Sequence, residues 1–121
     1  MASTYRIKVI ADKIPKMDLL SKSDPYFTLK KNLPNSDTKI YQSEHENDTD
    51  NPHWKEFEIY VNSDTELILT VFDYDPVTND DIIGSVSFTA QQLENAGILR
   101  LDMMTVKETK AKVMLKLLEK K

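Results

Sequence analysis

Asp73, Asp75, Asp80 and Asp81 place four carboxylates within nine residues, between an apolar run over 67–72 and a second beginning at Ile82. Like charges crowded at the end of a strand repel one another and cost folding free energy, so a cation that relieves the repulsion is the first chemistry such a loop suggests. Asp18 and Asp24 stand upstream in a second polar stretch over 12–23 and at its edge. All these donors are hard oxygens. The chain has no cysteine and two scattered histidines, His45 and His53, which excludes disulfides and thiolate sites and argues against zinc or copper.

Holding such loops requires a scaffold, and the sequence reads as one built of strands. Tyr5, Ile7, Val9 and Ala11 alternate with Arg6 and Lys8, the period of a half-buried strand over 4–11. A second strand is expected over 26–31, because Asp24 precedes Pro25 and is pushed toward extended backbone. Further strands are expected over 39–43, 56–61, 67–72, 83–88 and 98–102, with turns over 32–37 and 62–64 and a polar loop over 44–53. Thr89 has the position of a helix N-cap, with Gln92 completing a capping box and Gly97 ending a short helix. The eighth strand is expected over 112–118, although Ala111, Met114, Leu117 and Leu118 would also line one side of a basic amphipathic helix. Eight short strands imply an all-β, eight-stranded antiparallel sandwich with one short helix before strand 7.

At 121 residues, 40% apolar and 30% charged, the chain is expected to form one domain over 1–121. No apolar run approaches the ~18 residues of a membrane span, and the opening Met-Ala-Ser-Thr-Tyr-Arg lacks the core of a secretory signal, so a cytoplasmic protein is expected. The formal charge of −4 argues against a nucleic-acid-binding surface.

Loops of a sandwich cluster at its two ends, so the stretches over 12–23 and 73–81 can meet in space. Asp18 and Asp24 would then face Asp73, Asp75 and Asp81. Calcium suits that arrangement, taking about 6–8 oxygen ligands at ~2.3–2.6 Å in flexible geometry. An EF-hand loop is ruled out, since it needs an oxygen ligand at Val77 and a glycine at Thr78. An apolar strand followed by Asp73-x-Asp75-x-Val77 also resembles the nucleophile motif of haloacid-dehalogenase-type phosphohydrolases. That chemistry needs an α/β scaffold with later motifs, and the remainder of this chain is strand-like, so no enzyme activity is expected.

Three pieces in order carry a stronger resemblance: the run from Leu67 to Gly84, Asp18 and Asp24 followed by Pro25-Tyr26, and Asn51-Pro52-His53-Trp54-Lys55-Glu56-Phe57. Together they resemble the C2 domain, the calcium- and phospholipid-binding module of synaptotagmins and protein kinase C. The early first strand and extra closing strand resemble the circularly permuted topology of phospholipase C and novel protein kinase C. The resemblance implies that Asp18 and Asp24 supply the first calcium loop and Asp73, Asp75 and Asp81 the third, with the carbonyls of Leu19 and Tyr74. Thr78 and the carbonyl of Asn79 would serve an outer ion.

Five aspartates contribute about −5 locally and two or three calcium ions about +4 to +6, so the loop tips would change from lipid-repelling to attractive toward anionic headgroups. Leu19, Leu20 and Val77 are placed to dip into the membrane interface, with Lys22, Lys13 and Lys16 flanking the first loop. The implied partner is an anionic phospholipid membrane with phosphatidylserine-like headgroups, bound by a monomer recruited when calcium rises. The alternative is a constitutive protein-interaction module with a structural calcium site. Trp54 is expected in the core and both histidines in solvent. Thr28 and Gln42 stand near places where the family carries lysines, so specific phosphoinositide recognition is not expected, and the C-terminal lysines read as a solvated strand face.

Overall fold

The computed structural model describes residues 1–17, 22–34, 36–106 and 110–121. The alternation of Tyr5, Ile7, Val9 and Ala11 with polar neighbours becomes strand β1 (Ala2–Asp12), whose inward residues are buried and whose outward ones are not. The same period shapes β4 (Phe57–Asn62), β5 (Glu66–Asp73) and β9 (Lys112–Lys120). Val113 and Leu115 point inward at every second position of β9, which settles the segment as strand rather than helix.

Two antiparallel sheets face each other. One has the order β4-β1-β9-β7, with β7 at Ile98–Asp102. The other has the order β3-β2-β5-β6-β8, formed by β3 (Ser36–Gln42), β2 (Pro25–Leu33), β5, β6 (Asp81–Thr89) and the two-residue β8 (Met104–Thr105). Eight of these strands correspond to the eight expected, with ends shifted by a few residues. β8 is an addition. It pairs with Gly84 and Ser85, and a Cβ on Gly84 would stand 2.5 Å from the Met104 carbonyl oxygen, so only glycine lets this strand approach.

Between the sheets, Ile7, Val9, Ile59, Val61, Val113 and Leu115 meet Phe27, Leu29, Leu67, Leu69, Val71, Ile83 and Phe88. Trp54 is buried as expected. Its indole N–H donates to the Pro25 carbonyl at 3.1 Å and its ring meets the edge of Phe27 at 4.9 Å, which satisfies the one polar atom the side chain carries inward. That bond also pins the start of β2, next to the acidic loops.

The helix α1 (Ala90–Ala96) begins with the expected capping box: Thr89 accepts from the Gln92 amide and Gln92 accepts from the Thr89 amide. Gly97 closes it at φ 73°, a conformation that favours glycine, and donates to the Leu93 carbonyl.

Candidate functional site

β1 ends at Asp12, β2 begins at Pro25, β5 ends at Asp73 and β6 begins at Asp81, all at one end of the sandwich. The pairing Pro25↔Asp73 and Asp73↔Asp81 sets Asp73 and Asp81 on adjacent strands at that end, with Asp24 directly before the neighbouring β2. Antiparallel neighbours stand about 4.5–5.5 Å apart between Cα atoms, so the sheet register itself brings together carboxylates that are distant in sequence.

Hydrogen bonds then lock the row. The Asp24 amide donates to Asp73 Oδ1 at 2.9 Å, and the Tyr74 amide donates back to the Asp24 carbonyl at 3.0 Å. Asp48, from the polar loop between β3 and β4, donates its amide to Asp24 Oδ1 at 2.6 Å and accepts from the Lys22 amide at 3.0 Å. Its φ of 51° lies in the left-handed region, which aspartate tolerates better than most residues. In the sequence this residue is one of several polar residues of the loop over 44–53. No sequence signal reveals that it ties two loops together.

The third loop is organised by two further carboxylates. Asp75 Oδ1 accepts from the Val77 and Thr78 amides at 2.9 and 3.1 Å, while Oδ2 accepts from the Thr78 hydroxyl at 2.6 Å. The Thr78 hydroxyl, followed by the two amides, holds the Asp75 carboxyl below its ordinary range and keeps it ionised. Asp80 accepts from the Asp75 amide at 2.8 Å and from the Tyr26 hydroxyl on β2. Burial, reinforced by Asp80, pushes the Tyr26 hydroxyl well above its ordinary value. Asp80 is therefore a brace that ties the loop to β2.

Among the expected ligands, Asp24, Asp73 and Asp75 are half-buried, and Asp81, Tyr74, Thr78 and Asn79 are exposed. Tyr74 stacks on His45 at 4.1 Å, which joins the second loop to the third. Val77 is 88% exposed at the loop tip, and Lys22 is exposed with its ammonium 3.9 Å from Asp50. Asp18, Leu19 and Leu20 lie outside the described residues. Among the described residues no three acidic or histidine side chains close on a common point. Here the carboxylates of Asp24 and Asp75 take backbone amides as partners. The donor chemistry is nonetheless that of a hard cation: carboxylates, a hydroxyl and carbonyls, with no cysteine thiolate to compete.

The C2 domain family matches residues 3–106. Cytosolic phospholipase A2 delta of Mus musculus is 32% identical over 91 residues, which is 72% of this chain, and the chain spans 11% of that protein's length. Among solved structures, BON1-C2B superimposes with a TM-score of 0.77 at 23% identity, covering 99% of this chain and 90% of that one. The calcium-bound C2A and C2B domains of Extended-Synaptotagmin 2 give a TM-score of 0.67 at 25% identity, covering 95% of this chain and 45% of that one. With a family match over residues 3–106, a relative at 32% identity and the same fold as a C2 domain, this protein belongs to the C2 domain family.

Proposed function

We propose that the chain is one non-catalytic domain that binds anionic phospholipid membranes in a calcium-dependent manner through the acidic end of the sandwich. The observation that carries this reading is the placement of Asp24, Asp73 and Asp81 at one sheet end, with Asp75 on the adjoining loop and apolar Val77 at its tip. The relationship to a phospholipase and to a calcium-bound synaptotagmin-type domain supports it.

Asp18, Asp24, Asp73, Asp75 and Asp81 would hold about two or three calcium ions, aided by the Leu19 and Tyr74 carbonyls and, for an outer ion, by Thr78 and the Asn79 carbonyl. A bound ion supplies positive charge and open coordination positions for a headgroup oxygen. The protein's own part is to hold Asp24, Asp73 and Asp81 at one end of the sandwich, with Asp75 on the loop beside them. Asp75 stays charged because Thr78 and two amides favour its anion. Those amides are weak competitors, so a side-chain rotation frees the oxygens. Val77, with Leu19 and Leu20, then enters the interface, while Lys22 faces the anionic surface. A monomer recruited from the cytoplasm as calcium rises fits this cycle.

The test is sedimentation with phosphatidylserine-containing vesicles in calcium and in chelator. Pelleting is expected in calcium alone and lost with pure phosphatidylcholine. Asp73→Asn combined with Asp75→Asn should abolish calcium binding by calorimetry and leave the circular dichroism spectrum unchanged. Pelleting that ignores calcium would assign the loops a constitutive structural role instead.

A further inference from the structure

Resting on the membrane reading above, we propose that the calcium-loaded end also meets the bilayer along an apolar ridge away from the loop tips, formed by Ile82 of β6 and Val106 just past β8. Register puts the ridge in place. Tyr26, Phe72 and Ile82 stand opposite one another across β2, β5 and β6, one strand residue back from the pair Asp73↔Asp81. β8 brings in a fourth member, because the Val106 amide donates to the Ile83 carbonyl at 3.0 Å and seats Val106 beside this row. The row faces outward, since the flanking Phe27, Val71 and Ile83 are all buried. Tyr26 and Phe72 stack at 5.2 Å and are half-buried, whereas Ile82 is 53% and Val106 62% exposed at the sheet edge.

Depth identifies the occupant. A strand advances about 3.3 Å per residue, so Ile82 lies one such step behind Asp81. An amphipathic segment seated on a membrane buries its apolar face about 5–10 Å into the headgroup boundary. A calcium ion shared between Asp81 and a headgroup would thus bring Ile82 and Val106 to that depth with no further motion of the domain. Met104, opposite Ser85, stands three residues farther back, about 10 Å, at the limit of the same depth. The carboxylates around the ridge are each accounted for: Asp81 is an expected calcium ligand, Asp80 takes the Tyr26 hydroxyl and the Asp75 amide, and Asp102, near Met104, is met by Lys112 at 3.5 Å. Lys110, two residues before the pair Asp12↔Lys112, is exposed at the same end and is attracted to an anionic surface. Without calcium, the Asp81 charge next to Ile82 holds the ridge off that surface, so ridge and ion site switch together.

The chain lacks cysteine, so a single introduced cysteine reports one position. Val77→Cys, Ile82→Cys, Val106→Cys and Tyr60→Cys are each labelled with an environment-sensitive fluorophore and mixed with phosphatidylserine-containing vesicles. Tyr60 is the reference, exposed opposite Thr4 and so toward the other end of the sandwich from Asp12. With calcium, blue shifts are expected at 77, 82 and 106 and none at 60, and chelator should reverse them. Ile82→Ser with Val106→Ser should weaken calcium-dependent vesicle binding about tenfold, while Val106→Ser alone leaves calcium affinity by calorimetry unchanged. Should the double variant not fold, the labelled single variants decide. A shift at 77 without shifts at 82 and 106 would overturn the ridge and leave the calcium-dependent reading standing. No shift at any position would overturn that reading and the ridge with it. Shifts at 82 or 106 in concentrated protein without vesicles would assign the edge to contact between two copies of the chain, which also overturns the proposal.

Discussion

Tyr5 shows how one side chain can serve the core and the surface at once. Its ring is fully buried on β1, yet its hydroxyl reaches Glu94 at 2.6 Å, and Lys120 approaches the same carboxylate at 2.9 Å. Burial first, and Glu94 second, raise the Tyr5 hydroxyl from about 10 to about 12. The fold therefore favours the protonated phenol. Its contribution to stability is complete below pH 10 and is lost as pH rises from about 10 toward about 12. Tyr5→Phe should cost about 1–2 kcal/mol at neutral pH, from the lost charge-assisted hydrogen bond, and should flatten part of the alkaline decline in melting temperature followed by circular dichroism. Tyr26 and Tyr41, raised in the same direction by burial, keep a share of that decline. At this scale the sequence is only partly legible. Trp54 could be placed in the core because a large apolar body in a strand-rich chain has nowhere better to go. The link from Tyr26 to Asp80 and the clamp from Asp48 to Asp24 could not, because each depends on loops whose meeting no local pattern encodes.

Strands and helix announce themselves through period and caps, which is why eight strands and α1 can be read from residue types alone. Thr89→Ala removes one half of the capping box and should destabilise the protein by about 1 kcal/mol, measured by urea denaturation, with little change in the slope of the transition. β8 escapes such reading, since two residues cannot display alternation. Its trace in the sequence is Gly84, whose missing side chain admits the Met104 carbonyl and the Met103 sulfur. Gly84→Ala would put a methyl 2.5 Å from backbone and 2.8 Å from Met103 Sδ, so a loss of about 1–3 kcal/mol is expected, with chemical-shift changes concentrated in β6 and β8. The bulge between Val71 and Phe72 is equally hidden, although it decides that Ile82 is exposed and Ile83 buried at the entry to β6.

For the molecule as a whole, the acidic loop over 73–81 is continuous with the sheet it caps, because Asp73 belongs to β5 and Asp81 to β6. Calcium at about 100 times its dissociation constant should therefore stabilise the fold by about 2.7 kcal/mol, read as a rise in melting temperature that chelator reverses and Asp73→Asn with Asp75→Asn removes. The sandwich was legible because two-residue periods separated by turns leave few other architectures, and so was the position of Asp73 and Asp81 at strand ends, but not the hydrogen bonds that tie the loops between them. The place of β9 between β1 and β7 also has a kinetic consequence. Its pairings, from Asp12↔Lys112 to Tyr5↔Lys120, are among the most distant in sequence, yet they hold the middle of a sheet. Contacts of such separation must close a long loop before they are rewarded, which puts folding in the slow, roughly millisecond-to-second regime of all-β topologies. Until β9 arrives, β1 and β7 are open edges, and a chain emerging from the ribosome must keep them from pairing with its neighbours.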